Sequence, residues 1–154
     1  MLVDPFHAYR ESSRDLAAAF ALLEPGGALV VHDCLPPNEA IAAPEFTRGA
    51  WCGATYKAFI DFVLQRRDLR YLTVDTDFGC GVIRKLEARL PGPFDRPMIA
   101  RWRQARERRR LVAAWRALGD DYAAAWRLFE PNRAELLNVI SVDAFRAGTH
   151  GLDD

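Results

Sequence analysis

No stretch of this chain approaches the roughly 18 uninterrupted apolar residues that a membrane-crossing helix needs, and its N-terminus lacks a basic segment followed by an apolar run. These two absences predict a protein that neither spans a membrane nor is visibly secreted. Cysteine is scarce: Cys34, Cys52 and Cys80 form neither a CxxC pair nor an even disulfide framework. That points to structural thiols in a reducing compartment, with the cytoplasm as the default. Net charge is absent too, because 21 Lys and Arg balance 21 Asp and Glu. No overall field draws the chain to nucleic acid or a membrane surface, so an electrostatic partner must be sought locally. There is no internal repeat and no low-complexity tract, which excludes repeat arrays and biased linkers.

What is present is a composition of 50% hydrophobic and 27% charged residues over 154 positions. This suits a globular chain with a sizeable core. Residues 1–4, an apolar triplet ending in Asp4 before Pro5, read as the stub of a buried strand. The pattern "SSRDLAAAFALL" predicts a helix from Ser12 or Ser13 to about Leu23, with Leu16, Phe20 and Leu23 on one face and a serine cap at its start. "EPGG" at 24–27 breaks the helix, and "ALVVHD" at 28–33 reads as a strand closed before Pro36 and Pro37. Strand, helix, strand at this spacing is a βαβ unit, which predicts parallel strands buried on both faces.

Beyond a Pro, Ala and Gly-rich loop at 35–50, apolar spacing predicts a helix from about Gly53 to Gln65. "RYLTVDTD" at 70–77 and "FGCGVIRK" at 78–85 follow with almost no gap, so they read as an antiparallel hairpin at the end of the parallel sheet. After Lys85 the composition changes. "LPGPFDRP" reads as a linker, residues 98–118 as an Arg-rich helix and residues near 121–129 as a further helix, before "PNRAELLNVISVDAF" at 131–145. The division predicted is 1–90 and a helical extension at 91–154. Arg101, Arg103, Arg106, Arg108, Arg109, Arg110 and Arg116 interleave with Trp102 and Trp115, the one candidate nucleic-acid surface. Acids elsewhere cancel this charge, and Leu111, Val112, Trp115 and Leu118 read as a face packed on the body. Nucleic acid is therefore not an expected partner.

In open α/β sheets ligands bind beyond the carboxyl ends of parallel strands, and here both ends carry an acid. Asp4 and Asp33 would share one rim, either as solvated strand-end acids or as oxygen donors for a hard divalent cation such as Mg²⁺. His7, in the loop after Asp4, is either a plain loop residue or a proton acceptor at neutral pH. His32 adjoins Asp33 but by alternation points to the other side of its strand.

The segment "VDPFHAYRESSRDLAAAFALLEPGGALVVHDC", followed by "GATYKAFIDFVLQRRDLRYLTVDTDFGCGVIRK", resembles the carboxyl-terminal half of a class I S-adenosylmethionine-dependent methyltransferase of the small-molecule, catechol O-methyltransferase-like group. The resemblance covers roughly residues 1–85. It implies an α/β fold holding the second half of a Rossmann-like sheet, and methyl transfer from S-adenosylmethionine to a small-molecule hydroxyl. It further implies His7 as the base, Asp4 near the reactive methyl of the cofactor, and Asp4 with Asp33 as ligands of Mg²⁺ in metal-dependent members. Where such members carry a second Asp or Asn, this chain has Cys34, a soft ligand poorly matched to Mg²⁺. Trp51 and Lys57 fall where this group tends to line the acceptor site; as alternatives they are a core anchor and a solvated cation.

The family's glycine-rich turn after its first strand, and the acid that ends its second, have no counterpart in this sequence. The expectation is an incomplete chain with little activity alone. The alternatives are a remnant that binds a partner, or two copies pairing through the exposed edge of the first strand.

Overall fold

The computed structural model describes residues 1–86, 100–148 and 152, with the backbone alone at 100–105. The linker read at 90–97 and the start of the helix read from 98 lie outside the described residues, as do the side chains of Arg101, Trp102 and Arg103.

The described chain is α/β, a five-stranded mixed sheet in the order β1-β2-β4-β3-β5 with helices packed on it. β1 (Leu2–Val3) pairs parallel with β2 (Ala28–Val31), Leu2 facing Val30 and Val3 facing Val31. Between them runs α1 (Tyr9–Leu22), so the βαβ reading holds. Burial on both faces does not: Leu29 and Val31 are fully enclosed, but Leu2 on the outer strand is 70% exposed, because β1 is the edge of the sheet.

Ser12 does not cap α1. The helix begins a turn earlier, with Ala8 at its N-cap, and the buried Ser12 hydroxyl instead meets Phe6 O and Thr55 Oγ1, each at 3.3 Å. At the other end Lys85 Nζ donates to Phe20 O (3.2 Å) and Leu23 O (2.6 Å), satisfying carbonyls that a helix C-terminus leaves open.

α2 (Thr55–Gln65) packs beside α1. β3 (Leu69–Val74) and β4 (Cys80–Lys85) form the expected antiparallel hairpin, in register from Leu69 opposite Lys85 to Val74 opposite Cys80. β4 lies against β2, so the hairpin enters the sheet directly beside the parallel pair.

α3 (Ala100–Arg116) buries Trp115, with Leu111 and Leu118 also against the core, as its apolar positions required. α4 (Tyr122–Leu137) is longer than the helix read near 121–129, because it continues through Pro131. Asp121 caps it through Ala124 N at 2.8 Å, and Asn132 Nδ2 donates to Leu128 O in the turn the proline disturbs. Asn138 ends it in a left-handed conformation and leads into β5 (Val139–Ile140), parallel to β3, before α5 (Val142–Arg146). The carboxyl-terminal segment thus contributes a strand as well as helices. Trp126, Phe129, Leu136 and Leu137 join Leu16, Phe20 and Phe59 in one core cluster. No helix among the described residues is long and apolar enough to cross a membrane.

Candidate active site

β1 and β2 run parallel, so their carboxyl ends open at the same rim, and Asp4, His7, His32 and Asp33 converge there. The sequence bends at once after β2. Asp33 takes φ +61°, a left-handed conformation uncommon for a side-chain-bearing residue and costing of order 1–2 kcal/mol. The following residues hold the bend: Cys34 N bonds Gly79 O at 3.0 Å and Leu35 N bonds Phe78 O at 2.6 Å. The β3–β4 turn therefore buttresses the loop that presents Asp33.

Asp33 is almost fully buried, and both its oxygens are engaged. Oδ1 accepts from Cys52 Sγ at 3.2 Å, and Oδ2 lies 2.9 Å from His7 Nε2 and 3.4 Å from His32 Nδ1. Asp4, more exposed, completes the group, its Oδ1 3.6 Å from both His7 Nε2 and His32 Nδ1. Asp77, on the hairpin turn, places Oδ2 3.1 Å from His32 Nε2.

His7 is fixed by the start of α2. Its carbonyl accepts from Ala54 N at 2.8 Å, and Gly53, at φ +56°, passes so close that a Cβ there would stand 2.2 Å from that oxygen. Only glycine allows both the conformation and the approach. The imidazole lies 5.3 Å from the Trp51 ring, which in turn meets the exposed Phe6 and Phe46 at 5.6 and 5.3 Å. Trp51 is itself anchored by Nε1 to Ala43 O at 2.7 Å. It is therefore a buried anchor whose ring backs the His7 imidazole.

Lys57 has other partners. Buried in α2, it pairs with Asp61 at 2.8 Å and lies over the Tyr9 ring. Asp61 also accepts from Tyr9 (2.8 Å) and Trp115 (2.7 Å), so one carboxylate ties α1, α2 and α3 together. The resemblance implies Lys57 at an acceptor site, with a solvated cation as the alternative; it is not solvated, because it is buried and its observed contacts are those of an internal ion pair.

Three members of the cluster escaped the sequence reading. His32 was assigned to the opposite side of its strand, but alternation ends at Val31, and the bend at Asp33 leaves His32 facing the rim. Cys52 is 19 positions from Asp33, with no local pattern to connect them. Asp77 was legible only as a turn residue of "DTDFG".

The local fields follow from these contacts. Burial lowers the His32 pKa, but the carboxylates of Asp33, Asp77 and Asp4 more than offset that, and the net shift is upward. Burial and the Asp33 carboxylate push the Cys52 thiol up, and burial does the same to Cys34, whose Sγ contacts Val31 O at 3.4 Å. Both are held as neutral thiols, the form that is a poor nucleophile.

Compared with known protein families, with curated proteins and with solved structures, the chain shows no match to any of the three. The chemistry of the rim must therefore be argued from the rim itself. Two carboxylates and two imidazoles in ion-pair contact at 2.9–3.6 Å can take up a proton, and Asp4, His7 and Asp33 lie close enough together to hold a cation.

Proposed function

We propose that this protein transfers a methyl group from S-adenosylmethionine to a hydroxyl of a small-molecule acceptor, with His7 taking the hydroxyl proton. The observation that carries the reading is the meeting of Asp4, His7 and Asp33 at the carboxyl ends of the parallel strands β1 and β2. The strand order supports it: a parallel pair followed by an inserted antiparallel hairpin is what the resemblance implies for the second half of a Rossmann-like methyltransferase sheet.

In this reading His7 Nε2 is the reacting nitrogen, because Nδ1 is buried and has no hydrogen-bond partner, and the acceptor hydroxyl must first displace the Asp33 carboxylate from Nε2. After accepting the proton, Nε2 faces Asp33 at 2.9 Å and Asp4 at 3.6 Å, and two carboxylates stabilise the imidazolium that forms. Trp51, Phe6 and Phe46 provide an apolar wall beside it. The methyl group moves from the donor sulfonium to the acceptor oxygen by in-line displacement, so holding the two in contact supplies much of the catalysis. The sequence carries no glycine-rich turn of the kind that holds the donor in this family, and these 154 residues are proposed to bind it weakly.

Mg²⁺, which the resemblance implies for metal-dependent members, does not fit the donor set. It takes oxygen ligands and retains water, whereas two imidazole nitrogens stand among the carboxylates here and the residue after Asp33 is the buried thiol Cys34. The proposed transfer therefore uses no Mg²⁺.

Transfer of a labelled methyl group to a panel of small hydroxyl compounds tests the reading. The expected result is slow turnover, with donor binding weaker than micromolar. No transfer at millimolar donor would remove it in favour of a non-enzymatic module that pairs through the exposed apolar edge at Leu2, detectable as a concentration-dependent dimer by sedimentation.

A further inference from the structure

The chain is neutral overall, but α3 is not: between Ala100 and Arg116 its seven arginines are set against a single acid, Glu107. We propose that a groove along this helix binds the phosphate chain of a small molecule, a diphosphate or triphosphate ester, through Arg108, Arg109 and Arg116.

The groove has a volume of about 370 Å³, and the described residues that line it are Arg108, Arg109, Val112, Ala113 and Arg116. That volume lies within the range of small-molecule sites, about 300–1,000 Å³. At about 100° per residue the five positions share one face of the helix, about 140° wide. It adjoins the stripe of Leu111, Trp115 and Leu118 that packs on the core, and Glu107 falls outside it. Three cations and two small apolar side chains therefore line the groove, with no carboxylate among them.

Two of the arginines are anchored without being neutralised. Arg108 donates to Glu135 O and, at 2.7 Å, to the Tyr71 hydroxyl, while Arg116 donates to Leu64 O. The two carbonyls belong to the last turns of α4 and α2, where a helix leaves acceptors open. Burial raises the Tyr71 pKa, so that partner is neutral as well. These contacts use two N–H donors of Arg108 and one of Arg116, and most of each guanidinium fork remains open. Arg109, exposed beside them, makes no hydrogen bond or ion pair with a described residue.

The spacing selects the ligand. From Arg108 to Arg116 the helix rises about 12 Å. A single tetrahedral anion engages one end of that span, whereas a chain of two or three phosphates engages all three arginines through the bidentate pairing that guanidinium offers phosphate. Anchoring at both ends also holds two guanidiniums in place before the ligand arrives, so less side-chain freedom is lost on binding. A bounded concavity suits a small molecule better than a nucleic-acid backbone, which tracks along an extended surface. The groove uses none of the rim residues and does not rest on the methyl-transfer reading.

The test is calorimetric titration of the whole chain with sodium tripolyphosphate, compared with inorganic phosphate and with a short oligothymidylate. Tripolyphosphate is expected to bind one per chain, at least about tenfold tighter than inorganic phosphate, and more weakly as salt rises. Arg109→Gln should weaken it about tenfold at an unchanged urea midpoint, because this side chain supports no part of the fold. Ala113→Glu, which places a carboxylate in the groove, should lose the binding. No binding at millimolar tripolyphosphate, equal affinity for inorganic phosphate, tighter binding of the oligothymidylate, or unchanged affinity in either variant would each overturn the proposal.

Discussion

At the scale of single residues, the rim depends on backbone conformations that side-chain patterns do not announce. Asp4 and His7 were legible because an apolar run ending in an acid marks a strand end. His32 was not, since the bend at Asp33 cancels the alternation that would have turned it away. Gly53 shows the same dependence from the other side. Gly53→Ala adds a Cβ at φ +56° against the His7 carbonyl, and should cost more than the ~1 kcal/mol of the conformation alone. Urea denaturation of the variant would measure this; an unchanged midpoint would mean that the His7 loop is free to move. His32 supplies a pH dependence. Its folded pKa is raised above the ordinary value near 6.5, so its contribution to stability is complete below about pH 6.5 and is lost as pH rises through the folded value. In EDTA, denaturation midpoints should decline over that interval for the wild-type chain and less for His32→Gln.

At the scale of elements, the hairpin and α2 were readable because each carries a strong period, two for the strands and 3.6 for the helix. The start of α1 was misplaced because the Ser12 hydroxyl serves a contact with α2, not the helix end. The extent of α4 was hidden by Pro131, and β5 by its two-residue length, which leaves no period to detect. What joins the helices is Asp61, with Tyr9, Lys57 and Trp115 as its partners. Asp61→Ala would strand a buried ammonium and two partly buried donors, and is expected to cost about 3–5 kcal/mol in chemical denaturation. A loss below about 1 kcal/mol would show that Lys57 reaches solvent readily and is available to a ligand.

At the scale of the whole molecule, a chain of zero net formal charge carries a concentrated polar cluster at the carboxyl ends of the parallel strands β1 and β2. The carboxyl-terminal helices close over the core and lend the sheet a strand. None of this fixes a reaction by fold alone; the reaction is argued from His7 between two carboxylates beside an aromatic wall. The decisive measurement is therefore methyl transfer from labelled S-adenosylmethionine, at saturating donor and in EDTA, by the wild-type chain and by His7→Ala. A slow wild-type rate is expected, falling about 10²-fold to 10⁴-fold in the variant with the far-UV circular dichroism unchanged. An equal rate in the two chains would contradict it.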